Sequence, residues 1–331
     1  MLHLNAVRTS EVLNNAKGQN VAVIGDIMLD RFFWGNVSRI SPEAPVPVVE
    51  LNNETFHLGG AANVAANFKT LGLNPILMGV LGNDNSGRDF IELCKSMNLE
   101  TSGLYSSSDR PTTVKTRIIA NNQHVARVDR EINHYISEDI QNFFMNYLEN
   151  IQNLKAIIFE DYNKGMLPKE FISKVVDYAN DNGIIITVDP KQDNFFDYKH
   201  VTLFKPNKKE AQNALGYALD TDENIRKAGL ELLSRLDCQN VLITLGSMGM
   251  MLFQQDGNIF SVPTRARKVA DVSGAGDTAI ASFTATYIGG GSSSESASVA
   301  NFASGTVCEQ PGVVPIEIPD LLAAIERNGG N

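Results

Sequence analysis

Apolar and polar positions change period several times along this chain, and the changes mark out its elements. Residues 20–25 read Asn-Val-Ala-Val-Ile-Gly, a short apolar run that predicts a strand buried on both faces. Residues 75–80 repeat that signature. From 31 to 58 the pattern breaks: prolines at 42, 45 and 47 forbid helix, and Val46, Val48 and Val49 favour extended chain. Residues 112–120 and 124–131 alternate in the strand manner around Asn121-Asn122, a hairpin signal. Together, 31–58 and 112–131 predict a small antiparallel sheet, a β-sheet lid over one edge of the main domain. Beyond 135, helices near 137–151, 168–182 and 222–236 alternate with strands near 155–160, 184–189, 201–204 and 240–245. A hairpin is expected over 250–262, and further helices over 61–71, 85–97, 279–288, 294–309 and 317–327, with a short one inside 1–19. Such alternation predicts an α/β fold: one doubly wound, mostly parallel sheet with helices on both faces, spanning 1–331 as a single domain.

Composition narrows the partners. A 331-residue chain that is 43% hydrophobic can bury a sizeable core and is not of the disordered class. Its formal charge of −10 argues against nucleic acid as the main partner, though not against a nucleotide ligand. Cys94, Cys238 and Cys308 are scattered without metal-ligand spacing and read as free thiols of a reducing cytoplasm. No apolar stretch reaches spanning length and no signal peptide is visible, so neither membrane nor export is expected.

Polar residues gather where the predicted parallel strands end: Gly25-Asp26 and Asp30, Glu160 to Gly165, Asp189-Pro190-Lys191, and Lys205 to Glu210. That end of a parallel sheet is where ligands bind. Asp26 and Asp30 could equally be turn residues capping the next segment. Leu58-Gly59-Gly60-Ala61-Ala62-Asn63 opens a small-residue helix; its glycines allow a ligand close to the backbone, or simply close helix packing. Asn207 and Glu210, three apart at a helix start, suit a hydrated Mg²⁺ near phosphates or, as the plainer alternative, a capping box.

The most informative stretch is Asp271-Val272-Ser273-Gly274-Ala275-Gly276-Asp277-Thr278, between a β-like run at 268–272 and an apolar helix. At such a helix start the N–H groups of Ala275, Gly276 and Asp277 lack intrahelical partners and can face an anion. Asp277 stands in the first turn, where the dipole favours its ionised form. An amide cradle beside an ionised carboxylate suits phosphoryl transfer, the carboxylate taking the proton of the attacking hydroxyl. A loose dinucleotide fingerprint, with NAD(P)-dependent chemistry, and a helix cap with a structural Asp remain open on pattern alone.

Four blocks taken together resemble the ribokinase-like (PfkB) family of sugar kinases: Gly25-Asp26 with Asp30, Gly59 to Asn63, Asn207-x-x-Glu210, and Asp271 to Thr278. They span nearly the whole chain in the family's order. The resemblance implies ATP with Mg²⁺ and transfer to a sugar hydroxyl. It makes Asp277 the base and the 274–277 backbone (Gly274, Ala275, Gly276) the cradle for developing charge. Asp30, Gly59, Gly60 and Asn63 would hold the sugar. Asn207 and Glu210 would act near the metal, and Lys208, Lys209, Gly246 and Gly249 would lie on the nucleotide side. Within the family, Ser38 to Val49, Asp161-Tyr162-x-Lys164-Gly165 and Asp189-Pro190-Lys191 look like the heptose-phosphate kinases. Those enzymes phosphorylate the anomeric hydroxyl of D-glycero-D-manno-heptose 7-phosphate, often fused to an adenylyltransferase; this chain is expected to be a kinase alone or an excised kinase domain. A phosphorylated substrate needs a second anion site, for which Arg117, Arg127, Lys164 and Lys191 are the candidates. A homodimer through the lid is a further expectation. Ser273 stands where the family usually has Thr, and 309–312 departs from the usual adenine-side stretch.

Overall fold

In a computed structural model, described over residues 5–264, 270–310 and 312–328, the chain begins with α1 (Ala6–Ala16), β1 (Asn20–Gly25), β2 (Ile27–Ile40) and β3 (Pro47–Gly60). Then come α2 (Ala61–Thr70), β4 (Asn74–Gly82), α3 (Asn85–Ser96), β5 (Leu104–Ser107), β6 (Val114–Ala120) and β7 (Gln123–Arg130). The regular alternation follows as α4 (Glu138–Glu149), β8 (Leu154–Glu160), α5 (Lys169–Asp181), β9 (Ile185–Asp189), β10 (Leu203–Phe204), α6 (Lys208–Leu215), α7 (Asp222–Leu236) and β11 (Asn240–Thr244). The chain closes with β12 (Met250–Gln254), β13 (Ile259–Val262), α8 (Ala275–Ile288), α9 (Ser293–Cys308) and α10 (Ile318–Asn328).

Nine strands form one sheet in the order β13-β12-β11-β10-β9-β8-β1-β4-β5, antiparallel only at the β11-β12-β13 edge. Val21, Ala22, Val23 and Ile24 of β1 have no exposed surface, as a central strand covered on both faces requires. On one face α4, α5 and α7 close over Phe144, Phe171, Val175 and Leu232. On the other, α1, α2, α8 and α10 close over Phe68, Ile280, Leu321 and Ile325. Truncating one of these aromatic anchors, Phe144 for instance, would cost about 3–5 kcal/mol. Helix α8 is buried nearly all round, which holds its N-terminus rigidly at the sheet edge.

The lid is a separate four-stranded sheet in the order β3-β2-β6-β7. Its β6–β7 hairpin turns on Asn121 (φ 50°) and Asn122 (φ 62°), both left-handed as a two-residue turn demands. One expectation needs correction: the lid is not wholly antiparallel, because β2 and β6 pair in parallel. β1 leads into β2 and β5 leads towards β6 from the same end of the main sheet, so the two lid strands run outward together. Edge strand β5 is not announced by any alternation. Of the β-like run at 268–272, residues 268 and 269 lie outside the described residues. Ala270 and Asp271 form no strand; their N–H groups donate to the Cys308 carbonyl at the end of α9.

Candidate active site

The site is built on the start of α8. Gly274 is the N-cap, at φ 77° and ψ −1°, a left-handed conformation that strains any L side chain. A Cβ there would also lie 2.8 Å from Asn63 Nδ2. No side chain caps the helix, which leaves its first amides to other acceptors. The Ala275 N–H turns back to the Val272 carbonyl at 3.3 Å. The expected three-amide cradle is therefore narrower: among the described residues, the N–H groups of Gly276 and Asp277 have no acceptor in the chain.

Asp277 is 5% exposed. Asn63 Nδ2, from α2, donates to its Oδ2 at 2.7 Å, and the Tyr162 hydroxyl, from the turn after β8, donates to Oδ1 at 3.1 Å. Burial lifts the Asp277 pKa above the ordinary aspartate value; the Asn63 bond, Lys205 and the Tyr162 bond pull it down, and Asp189 pushes it up.

Glu160 and Asp189 end the neighbouring strands β8 and β9, and Lys205 follows β10, so three parallel strands deliver these groups beside Asp277. Carboxylate oxygens of Glu160, Asp189 and Asp277 lie within 4.8 Å of one another. Two like charges about 4 Å apart repel by about 4 kcal/mol at an effective dielectric of 20, so full ionisation of all three is costly. Glu160 is the one that yields. Burial, then Asp189 and Asp277, raise its pKa well above the usual range, and neither of its oxygens finds a hydrogen-bond partner among the described residues. The buried Lys205 ammonium, 2.8 Å from Asp189 Oδ2, supplies the positive charge that a metal ion would otherwise bring. A Cβ on Gly276 would stand 3.5 Å from Asp189 Oδ2 and 3.6 Å from Lys205 Nζ, so cradle and ammonium face the same space.

The lid root forms the opposite wall. Asp30 is buried and paired with Arg117, and a Cβ on Gly59 would strike its carboxylate. Gly60, at φ 60°, leaves no room for a Cβ against the Asp26 carbonyl. Asp26 is a structural clamp: its carboxylate accepts the N–H groups of Tyr162 (2.8 Å), Lys164 (3.0 Å) and Met166 (3.1 Å). Burial, then Asp161, lift its pKa to about 6. The four cations expected to meet a substrate phosphate all have carboxylate partners. Arg117 pairs with Asp30, Arg127 with Asp129 (2.7 Å, largely exposed), Lys164 with Glu131 (2.7 Å) and Lys191 with Glu210 (2.5 Å). Lys115, one strand position from Thr116 on β6, makes no salt bridge among the described residues; its ammonium lies 5.0 Å from the Tyr162 ring centre.

Beside the start of α8 a cavity of about 380 Å³ is lined by Gly246, Gly249, Ala275, Gly276, Ser304 and Cys308 among others. That volume is within the range of small-molecule sites. Gly249 needs its left-handed φ of 93°, and a Cβ would strike the Val262 carbonyl. Asn207 bridges to Thr244, which also lines the cavity. Asn207 and Glu210 form a complete capping box: Asn207 Oδ1 accepts the Glu210 N–H at 2.9 Å and Glu210 Oε2 accepts the Asn207 N–H at 2.8 Å. Lys208 pairs with Asp220 at 3.1 Å and Lys209 is exposed.

This arrangement, a buried carboxylate with an ammonium and two amides that find no acceptor among the described residues, is chemically suited to deprotonating a hydroxyl next to a transferring phosphoryl group. Residues 18–320 match the profile described as pfkB family carbohydrate kinase. The chain belongs to that family. Relatives include the Bifunctional protein HldE of Helicobacter pylori (strain G27), 39% identical over 310 residues that make up 93% of this chain and 67% of that protein. The Bifunctional protein HldE of Geobacter sulfurreducens is 36% identical over 307 residues, 92% of this chain and 63% of the relative. The chain thus spans about two thirds of the length of these relatives. Among solved structures, phosphofructokinase-2 from Escherichia coli superposes with a TM-score of 0.77 at 17% identity, covering 95% of this chain and all of that one. Ribokinase of Arabidopsis thaliana, complexed with ribose and ATP, gives 0.73 at 19% identity over 94% and 99%. These two show the fold. The family membership makes the protein an ATP-dependent sugar kinase and removes the dinucleotide reading of residues 274–279.

Sequence reasoning missed Tyr162, Glu160, Asp189 and Lys205 as partners of Asp277. Their signal was present in the polar clusters at the strand ends, but nothing in those clusters separates a buried acid from a solvated one.

Proposed function

We propose that this kinase transfers the γ-phosphoryl group of ATP to the anomeric hydroxyl of D-glycero-D-manno-heptose 7-phosphate, on the path to an ADP-activated heptose. One observation carries the choice of sugar. The blocks that look like heptose-phosphate kinases, at 161–165 and 189–191, flank the base: Tyr162 is bonded to Asp277, and Asp189 stands beside it. Asp277 accepts the hydroxyl proton, the Gly276 and Asp277 amides with Lys205 take the developing charge, and Asp30, Gly59, Gly60 and Asn63 hold the sugar. Gly246 and Gly249 face the nucleotide.

Mg²⁺ suits the oxygen donors of Asn207 and Glu210, and it would neutralise charge on the nucleotide phosphates. Because the capping box and Lys191 already engage those oxygens, the two residues would hold the ion through its water shell. The substrate phosphate meets Arg117, Arg127, Lys164 and Lys191, with Lys115, which makes no salt bridge among the described residues, beside them. The lid's exposed Ile40, Val46, Leu51 and Val128 form the surface for a second copy of the chain, which sedimentation would reveal.

The test is ADP release across heptose 7-phosphate, unphosphorylated heptose, fructose 6-phosphate and ribose. Heptose 7-phosphate is expected to have the highest kcat/KM, and Lys115→Met or Lys164→Met to narrow its lead over the unphosphorylated sugar. Equal kcat/KM for the two heptoses overturns the reading in favour of a simple sugar kinase.

A further inference from the structure

We propose that Tyr162 is a positioning residue for Asp277: its hydroxyl holds the base while the sugar site is empty and gives way to the hydroxyl that is to be phosphorylated. This role rests on Asp277 being the base. Each carboxylate oxygen of Asp277 already has a donor within the chain, Asn63 on Oδ2 and Tyr162 on Oδ1. A hydroxyl that loses its proton to Asp277 must itself come within about 2.6–3.2 Å of one of those oxygens.

The two donors are not equally replaceable. Asn63 is 2% exposed and its bond joins two buried helices, α2 and α8, at 2.7 Å. Asn67, one turn further along α2, ties the same pair together through Thr278 Oγ1 at 3.1 Å. Tyr162 is half-buried, sits on a turn and makes the longer bond. Oδ1 is therefore the oxygen at which donors exchange.

The turn is nonetheless built to present the phenol. Asp26 holds it by the backbone of Tyr162, Lys164 and Met166. Two ammonium groups, Lys115 and Lys191, each lie 5.0 Å from the ring centre, and Lys191 is fixed in turn by Glu210. The phenol stays a donor, because burial, then the Asp277, Glu160 and Asp189 carboxylates, push its ionisation well above the ordinary tyrosine value. Around Asp277 the charged and titratable neighbours are Glu160 from β8, Asp189 from β9, Lys205 after β10 and Tyr162 itself. Removing the Tyr162 hydroxyl takes a donor from Asp277 and neither adds nor deletes a charge.

Tyr162→Phe keeps the ring beside its two cations and deletes one hydrogen bond to the ionised base. Since kcat/KM reports the free enzyme and kcat the loaded one, the two profiles should separate. The acid limb of kcat/KM is expected to move up by about one pH unit, while the acid limb of kcat stays in place. An unmoved kcat/KM limb, or an equal shift in both, overturns the proposal: the first means the bond does not matter, the second that the phenol stays on the base during turnover. A second measurement needs no substrate. ¹³C NMR titration of the Asp277 carboxyl in the sugar-free protein should show it ionising at higher pH in Y162F than in wild type, and identical titrations overturn the role. If none of the tested sugars is turned over but the titration shifts, the sugar assignment fails and the Tyr162 role stands.

Discussion

Helices α6 and α8 both begin at the ligand edge of the sheet, and both carry an acid in the first turn, Glu210 and Asp277. Their N-termini are otherwise opposites. At α6 the N-cap is Asn207, and the capping box satisfies the end of the helix from within. At α8 the N-cap is a left-handed glycine with nothing to cap with, and the acid is folded inward onto Asn63 and Tyr162. One helix start is finished as a structural element. The other has two amides with no acceptor among the described residues beside a buried carboxylate, which folding alone does not favour. The contrast sets a locally satisfied helix start, at α6, beside one that is not, at α8.

The sharpest way to break the contrast is Asp277→Asn. The amide keeps the size of the side chain but cannot act as a base, so turnover should fall about 10²–10⁴-fold with nucleotide and sugar affinity near wild type. Stopped-flow kinetics with binding calorimetry checks both halves, and near-normal turnover in the folded variant would remove Asp277 from the mechanism. Next is Gly274→Ala. It imposes about 1–2 kcal/mol of left-handed strain and brings a methyl against Asn63 Nδ2. If displacing the Asn63–Asp277 bond raises the barrier by about 1.4 kcal/mol, kcat drops tenfold. An unchanged kcat alongside a lowered Tm would mean that the glycine serves the fold and not the site.

Much of this frame was legible in the pattern of the chain. β1 announces itself because a strand covered on both faces has no polar alternation to confuse it, and the hairpin at Asn121-Asn122 because few residues other than glycine tolerate two left-handed turn positions. The stretch 271–278 was legible because Gly274 and Asp277 each meet a local demand. What escaped were relations between distant residues. The parallel pairing of β2 with β6 depends on which edge of the main sheet each leaves, and Leu104 to Ser107 carries no period at all. The ion pairs of Arg127 with Asp129 and Lys164 with Glu131 turn apparent phosphate ligands into partly neutralised ones. Glu160 looks in sequence like any acid at a strand end; only three strands brought side by side bury it next to Asp189 and Asp277.

The smallest expected effect sharpens the comparison from the α6 side. Glu210→Gln retains an oxygen that accepts the Asn207 N–H, and Gln is a natural partner in a capping box. Stability should therefore change little, whereas Asn207→Ala, which removes the cap, should cost about 1 kcal/mol. The charge is a separate matter. Glu210 also holds Lys191 at 2.5 Å, and Lys191 lies against the Tyr162 ring, so the carboxylate reaches the site both through the proposed metal water shell and through that lysine. If the charge helps to hold hydrated Mg²⁺, E210Q raises the Mg²⁺ concentration needed for half-maximal rate severalfold, while N207A lowers the melting temperature more than E210Q does. If the Mg²⁺ titration of E210Q overlays that of the wild type, Glu210 is a cap and nothing more, and the contrast between the two helix starts becomes one between structure and chemistry.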